Sequence, residues 1–329
     1  MASRLRSALP WLGTVALLGY LAWTTDVDTV ARAFGDVSLL GVLLVGLLGT
    51  AATFATDTWC VSLAFSRFVC PLAYREALPV KATSYFLNIL NYNAALVGMA
   101  FYVKRSKDAP FWKSLGSLFL LNVADILALC VMLAFGLLLT VGSDTLDAAT
   151  LGVAWLVVAG GLGGGFLGLA LLRLDIPIPL LSRLLRSELL SALSRVTVPT
   201  LLLFVALRVL FLAQYLLAQY AFLKLFDIPV PLDRLLVYLP LLTFIQIIPI
   251  SISGLGTVQL VMRHFFAPYV LVDAGHAFGV VDACSTAGIF AFLIFRVLLA
   301  YLFLGKLSRE VIAKAGSVGR EMDSQPENS

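Results

Sequence analysis

The chain reads as an all-α, polytopic integral membrane protein with six full spans and two re-entrant helical hairpins arranged as an inverted repeat. Three observations point there. Of 329 residues, 60% are hydrophobic and only 13% charged, with mean hydropathy +0.98; soluble chains carry about 25% charged residues. The apolar residues gather in eight long runs. The 23 Lys and Arg residues cluster between the runs in a pattern that simple crossings violate at two places. Composition excludes a soluble fold. A formal charge of only +4, spread in short clusters, suits an anionic membrane face rather than a nucleic-acid groove.

A bilayer core needs about 20 apolar residues per helix. The runs that qualify are 8–23, 38–62, 80–103, 114–141, 149–172, 199–222, 235–262 and 277–304. The first follows Arg4 and Arg6, and no small-residue cleavage site separates it from Asp26 and Asp28, so it reads as a retained anchor rather than a signal peptide. Gly160, Gly161, Gly163, Gly164, Gly165 and Gly168 lack the full dinucleotide-binding spacing; their small-xxx-small spacing predicts close helix packing.

Cytoplasmic loops retain Lys and Arg, which fixes the orientation. Arg4 and Arg6 place the N-terminus inside, Asp26, Asp28 and Asp36 fall outside, and Arg67, Arg75 and Lys81 return inside. A full crossing at 80–103 strands Lys104, Arg105, Lys107 and Lys113 outside, and one at 235–262 does the same to Lys306, Arg309, Lys314 and Arg320. Letting both runs dip in and turn back satisfies every basic cluster except Lys224, Arg234 and Arg263, with both termini cytoplasmic. The hairpin chemistry agrees. Asn88, Asn91, Asn93 and Gly98 interrupt the first run; Pro249, Ser251, Ser253, Gly254 and Gly256 interrupt the second. These are poor residues for continuous helix, and broken backbone at that depth is tolerated only against protein or a wet cavity.

Sliding the chain on itself by about 158 residues superposes Phe86 on Phe244, Ile89 on Ile247, Gly98 on Gly256, Val103 on Val261 and Arg105 on Arg263. The same shift carries 38–62 onto 199–222 and 114–141 onto 277–304, each pair crossing in opposite directions. The expected organisation is an anchor and outer loop (1–35), a first half (36–172) with a cytoplasmic-side hairpin, a basic linker (173–198), a second half (199–305) with an outer-side hairpin, and a disordered cytoplasmic tail (306–329). Inverted repeats of this kind place a substrate site near the midplane. Duplication without transport leaves the same pattern.

Five ionisable residues fall inside spans: Asp57, Asp125, Arg208, Asp282 and Arg296. Each costs roughly 2.5–3.5 kcal/mol at a helix centre, so each must be paired or wet. One reading has Arg208, Arg296 and Arg105 contacting an anionic lipid head group beside the hairpin-tip residues Asn91, Asn93, Ser251, Ser253, Gly254 and Gly256, with Asp57, Asp125 and Asp282 as support or proton-coupling groups. The other has static ion pairs between helices. Asn122, Gln214, Gln219 and Gln246 line a cavity or bond between helices on the same two readings. Catalysis has little basis: His264 and His276 lack zinc-site spacing, and no cofactor or metal is expected. Cys60, Cys70, Cys130 and Cys284 lie far apart and read as packing or lipid-buried thiols.

Pro249-Ile250-Ser251-Ile252-Ser253-Gly254-Leu255-Gly256, Asp125 in the span after the first hairpin and Arg296 in the last span resemble the flippase-like membrane domain family, named for the transmembrane region of lysylphosphatidylglycerol synthases. The resemblance covers about residues 36–305. The chain departs from the family pattern at Val258 and Gln259, where an Arg-Glu pair is usual, at Ile252, which replaces a proline, and at Asn91-Tyr92-Asn93, which replaces a Pro-Gly-Arg-type turn. The resemblance implies a bacterial inner-membrane protein that binds or translocates an anionic lipid or lipid-linked precursor. It also implies no aminoacyl-lipid synthesis, since no soluble transfer domain is attached. Membrane lipid is the expected partner, joined by a partner enzyme of lipid or cell-envelope biosynthesis. The alternative is a membrane-embedded enzyme or accessory subunit acting on a lipid-linked sugar or aminoacyl lipid. Without an ATP-binding loop, transport is expected to run downhill, through proton coupling at Asp57 or Asp125, or by way of a partner.

Overall fold

A computed structural model describes residues 19–20, 23–24, 26–90, 92–140, 146–173, 187–247, 256–271 and 274–323. Eleven α-helices and no strand occur among them: α1 Val27–Asp36, α2 Leu39–Phe68, α3 Tyr74–Leu90, α4 Tyr92–Lys107, α5 Phe111–Thr140, α6 Ala148–Arg173, α7 Ser191–Arg195, α8 Val198–Leu225, α9 Leu232–Ile247, α10 Thr257–Phe266 and α11 Ala274–Asp323. Among the described residues, five stretches are long and apolar enough to cross a membrane: Leu39–Phe68, Phe111–Thr140, Ala148–Gly168, Val198–Leu225 and His276–Phe303. The expected run 8–23 lies largely outside the described residues. Many large apolar side chains point outward, among them Leu138, Leu156, Phe166 and Leu217. A surface this apolar is covered by lipid rather than water.

Neither run expected to turn back forms one continuous helix. The first is the pair α3 and α4, of 17 and 16 residues. Near the turn Gly98 faces Leu87, and at the far ends Lys107 pairs with Glu76, so the two helices run antiparallel. The second is the pair α9 and α10, of 16 and 10 residues. Tyr238 stacks on Phe265 with ring centroids 4.5 Å apart and planes 6° from parallel, while Arg234 donates to the Tyr269 hydroxyl. At about 1.5 Å per residue, none of these four helices exceeds ~26 Å. The hydrocarbon layer is about 30 Å thick.

The chain forms two compact units. The first comprises residues 1–56, 122–176 and 196–295, the second 57–121, 177–195 and 296–329. In the first, Leu133, Leu137, Phe222, Leu235, Phe266 and Val281 form the buried centre. Small residues bring its helices close. A Cβ on Gly46 would lie 2.7 Å from that of Ala291, and one on Gly49 would lie 2.9 Å from that of Ala218. The glycine run in α6 behaves differently from the sequence expectation. Gly161 meets Cys130 and Gly165 meets Leu127, but Gly160, Gly163, Gly164 and Gly168 face open space. Residues three and four apart share a helix face, so Gly161, Gly164, Gly165 and Gly168 lie on one side of α6, yet of these only Gly161 and Gly165 come close to α5.

Helix α1 starts at Asp26, whose carboxylate accepts the Asp28 backbone N–H at 3.1 Å. Its Phe34 packs edge-on against Phe226. In the second unit, Phe65, Val80, Ala100, Val103 and Leu118 are buried. There Gly116 lies against the Leu189 carbonyl, which seats the described part of the linker on α5.

Candidate functional site

Among the described residues, buried charges form three clusters, each joining a helix that carries an acid to one that carries a base. In the second unit, Asp57 on α2 meets Lys81 on α3. The Lys81 Nζ lies 2.6 Å from Asp57 Oδ2, and the side chains are 14% and 7% exposed. Tyr85 sits four residues after Lys81 and therefore on the same helix face. Its ring takes the Lys81 ammonium at 5.3 Å and the Arg296 guanidinium at 5.3 Å. Two cations thus share one aromatic ring, whose quadrupole attracts both.

In the first unit, Asp125 on α5 lies 3.1 Å from Arg208 Nε on α8. Arg208 is only 5% exposed and also covers the Phe211 ring. Asp282 on α11 receives the Arg263 fork: Nε donates to Oδ1 at 2.8 Å and Nη2 to Oδ2. Arg263 Nη1 donates to Thr24 Oγ1 at 2.7 Å, and the guanidinium lies over Phe278. This two-pronged geometry is one that arginine makes and lysine does not. Close by in sequence, Thr56 donates to Gln214 Oε1 at 3.0 Å, bonding α2 to α8, and Gln219 donates to the Tyr215 hydroxyl.

Of the residues singled out from sequence, Asp57 and Arg296 are brought together by Lys81 and Tyr85, Asp125 joins Arg208, and Asp282 joins Arg263. Arg105 lines a groove of the first hairpin. Gly256 caps the N-terminus of α10 with φ of 87°, a backbone that favours glycine. Its N–H donates to Gln259 Oε1 at 2.8 Å. Asn91, Ser251, Ser253 and Gly254, and the side chains of Asn93 and Gln246, lie outside the described residues.

Lys81 and Arg263 are the functional candidates that sequence reading passed over. Both look like loop cations in a count of basic residues, yet both are buried or nearly so against acids. The misfit of Arg263 on the outer side has its explanation here: it belongs to the interior. Arg234, the second misfit, binds the Tyr269 phenol, and Lys224 lies over the Tyr220 ring. The sequence signal was position: Lys81 lies within the apolar run 80–103, and Arg263 directly follows the run 235–262.

Outside the spans, the Lys107 ammonium hydrogen-bonded to Glu76 holds that carboxyl below the usual carboxylate range. The Thr29 hydroxyl does the same for Asp26, and Thr150 for Asp147. Burial pushes the Cys70 thiol up, which disfavours the reactive thiolate. Cys60, Cys130 and Cys284 are buried thiols.

Apolar helices with lipid-facing surfaces and internal ion pairs define a multi-pass membrane protein. The chain belongs to the lysylphosphatidylglycerol synthase transmembrane region family, which it matches over residues 10–300. No curated protein and no solved structure matches it.

Proposed function

We propose that the protein binds an anionic lipid or lipid-linked precursor and moves it between the leaflets of a bacterial inner membrane, with both termini cytoplasmic. One observation carries the reading: Asp57, Asp125 and Asp282 each hold a cation within apolar helices. Each charge opposes insertion by roughly 2.5–3.5 kcal/mol. Replacing a buried ion pair with well-packed apolar residues is often neutral or stabilising, so stability alone does not call for three of them. A polar cargo does.

On this reading α3–α4 and α9–α10 are re-entrant gates, one in each of two inverted halves, 36–172 and 199–305. The brevity of their helices and their antiparallel pairing support it. Arg105, Arg208 and Arg296 serve the head group, the hairpin tips with Asn91, Asn93, Ser251, Ser253, Gly254 and Gly256 line its path, and the three acids position the cations or carry a proton. Alternate exposure of a midplane cavity moves the lipid. The family supports lipid as the cargo class. The test is reconstitution in liposomes containing head-group-labelled anionic and zwitterionic lipids. Movement of intact anionic lipid above the rate of protein-free vesicles is expected. An unchanged rate, or a chemically altered lipid, overturns the reading.

A further inference from the structure

Two polar side chains of α8 bond to each other rather than to a neighbouring helix. Thr56 and Gln214 form an ordinary stitch between α2 and α8 at 3.0 Å. Gln219 Nε2 instead donates to the Tyr215 hydroxyl at 2.7 Å, one turn back on its own helix. Joining helices is the common use of polar groups in lipid, and this bond joins none. Both side chains are half-buried. Gln219 lies six residues before the end of the Val198–Leu225 span, about 9 Å along the axis, which brings it close to the head-group layer.

Opposite this pair, α11 leaves room. A Cβ on Gly288 would meet Phe222 at 3.7 Å and Gln219 Oε1 at 3.8 Å, which are ordinary contact distances. Close packing therefore demands no glycine here, unlike at Gly46 and Gly49, and the missing side chain leaves a notch deep enough for one hydroxyl beside the Gln219 amide. Tyr215 packs on Phe292 with ring centroids 5.9 Å apart, and Phe292 packs on Phe222 at 5.8 Å. The phenol is thus held in place.

Hydrogen-bonding capacity remains at both side chains. A phenol accepts and donates, and a carboxamide has an acceptor oxygen and two N–H donors. Tyr215 accepts from Gln219, but among the described residues its own O–H finds no acceptor, nor does Gln219 Oε1 find a donor. Every residue of 211–223 on α8 and of 283–295 on α11 is uncharged, so a phosphate or carboxylate meets no counter-ion here. Hydroxyl groups, which donate and accept together, match the pair. The polarised C–H face of a sugar ring also suits the negative face of an aromatic ring.

We propose that Tyr215, Gln219 and the notch at Gly288 bind the sugar of a glycolipid head group, with one sugar hydroxyl seated against Gln219 Oε1 and another accepting from the Tyr215 phenol. The proposal rests on the lipid-handling reading above and adds an uncharged, hydroxylated part to the cargo.

The test is native mass spectrometry of the full chain in nanodiscs doped with monoglucosyl diacylglycerol or with diacylglycerol of the same chains. The glucosyl lipid should be retained about tenfold more. Y215F keeps the ring and removes one hydroxyl, so it should cut that preference about fivefold, with diacylglycerol retention unchanged. Q219L should do at least as much, and G288L, which fills the notch, should abolish the preference. Should G288L fail to fold, Y215F and Q219L decide. Equal retention of the two lipids, or a preference untouched in both Y215F and Q219L, overturns the site. Free glucose at matched concentration should not displace the glucosyl lipid; displacement overturns the lipid as the carrier of the sugar. Sugar-selective retention without translocation in liposomes overturns only the transport reading, and translocation without sugar preference overturns only this site.

Discussion

Lys81 reaches 2.6 Å from Asp57 while both side chains are largely buried. Removing one partner of a buried pair leaves the other charge uncompensated, at a cost of about 3–5 kcal/mol, whereas removing both can be close to neutral. D57N and K81M should therefore each lower the apparent Tm of the purified protein, and the double variant should lie nearer wild type than either. Thermal unfolding in detergent checks this. Additive losses would mean that the two residues do not act as a pair.

The Arg263 cluster tests geometry rather than charge. R263K keeps the cation but cannot supply both the fork to Asp282 and the bond to Thr24. T24V removes only the hydroxyl that accepts from Nη1, a charged hydrogen bond worth about 1.5–3 kcal/mol. The expected order of thermal destabilisation is D282N above R263K above T24V. If R263K matches wild type, the fork has no energetic role.

Two glycine-to-alanine changes should have opposite signs. On Gly46 a Cβ would fall 2.7 Å from the Ala291 Cβ and 3.4 Å from its Cα, atoms that cannot swing aside, so G46A forces α2 away from α11 and costs about 1–3 kcal/mol. Gly164 meets nothing within 4 Å, so G164A gains roughly 0.5–1 kcal/mol of helix propensity. Detergent-solubilised yield and thermal midpoint of the two variants provide the measurement.

The contrast between these glycines also marks what sequence could and could not convey. Apolar run lengths located all five long spans, because lipid imposes length and composition together. The runs 80–103 and 235–262 carry residue types that are poor in continuous helix, and each run holds a pair of helices rather than one. Partner choice was not legible. Asp57 lies 24 positions from Lys81 and Asp125 lies 83 from Arg208, and helix rotation decides which charges meet. Nor did spacing reveal which α6 glycines face α5, since i, i+4 selects a face without saying which face is covered.

The clasp at the base of the first hairpin gives a pH dependence. Lys107 holds the folded-state pKa of Glu76 below its ordinary value, so its contribution is complete above the unfolded pKa and is lost as pH falls through the folded one. With Glu76 45% exposed, the pair is worth at most about 1 kcal/mol. Spin labels at Tyr74 and Asp108 should broaden or lengthen their distance distribution as the pH falls below the ordinary glutamate range, and E76Q should show the broadened form at pH 7. A distribution independent of pH in the wild type overturns the clasp.

Contacts at the hairpin ends constrain topology more tightly than any charge count. The contact of Glu76 with Lys107 predicts that the segments before α3 and after α4 emerge on one side of the membrane. The contact of Arg234 with Tyr269 predicts the same of the segments before α9 and after α10. Single cysteines at Arg75 and Lys113, introduced into a variant lacking the four native cysteines, should therefore react equally with a membrane-impermeant maleimide added from one side. Cysteines at Asp227 and Leu271 should likewise match each other. The antiparallel pairing predicts only this agreement within each pair; the inverted repeat adds that the two pairs face opposite sides. Reaction of Arg75→Cys and Lys113→Cys from opposite faces would refute the hairpin itself. Reaction of all four from one face would leave both hairpins standing and remove the inversion that relates them.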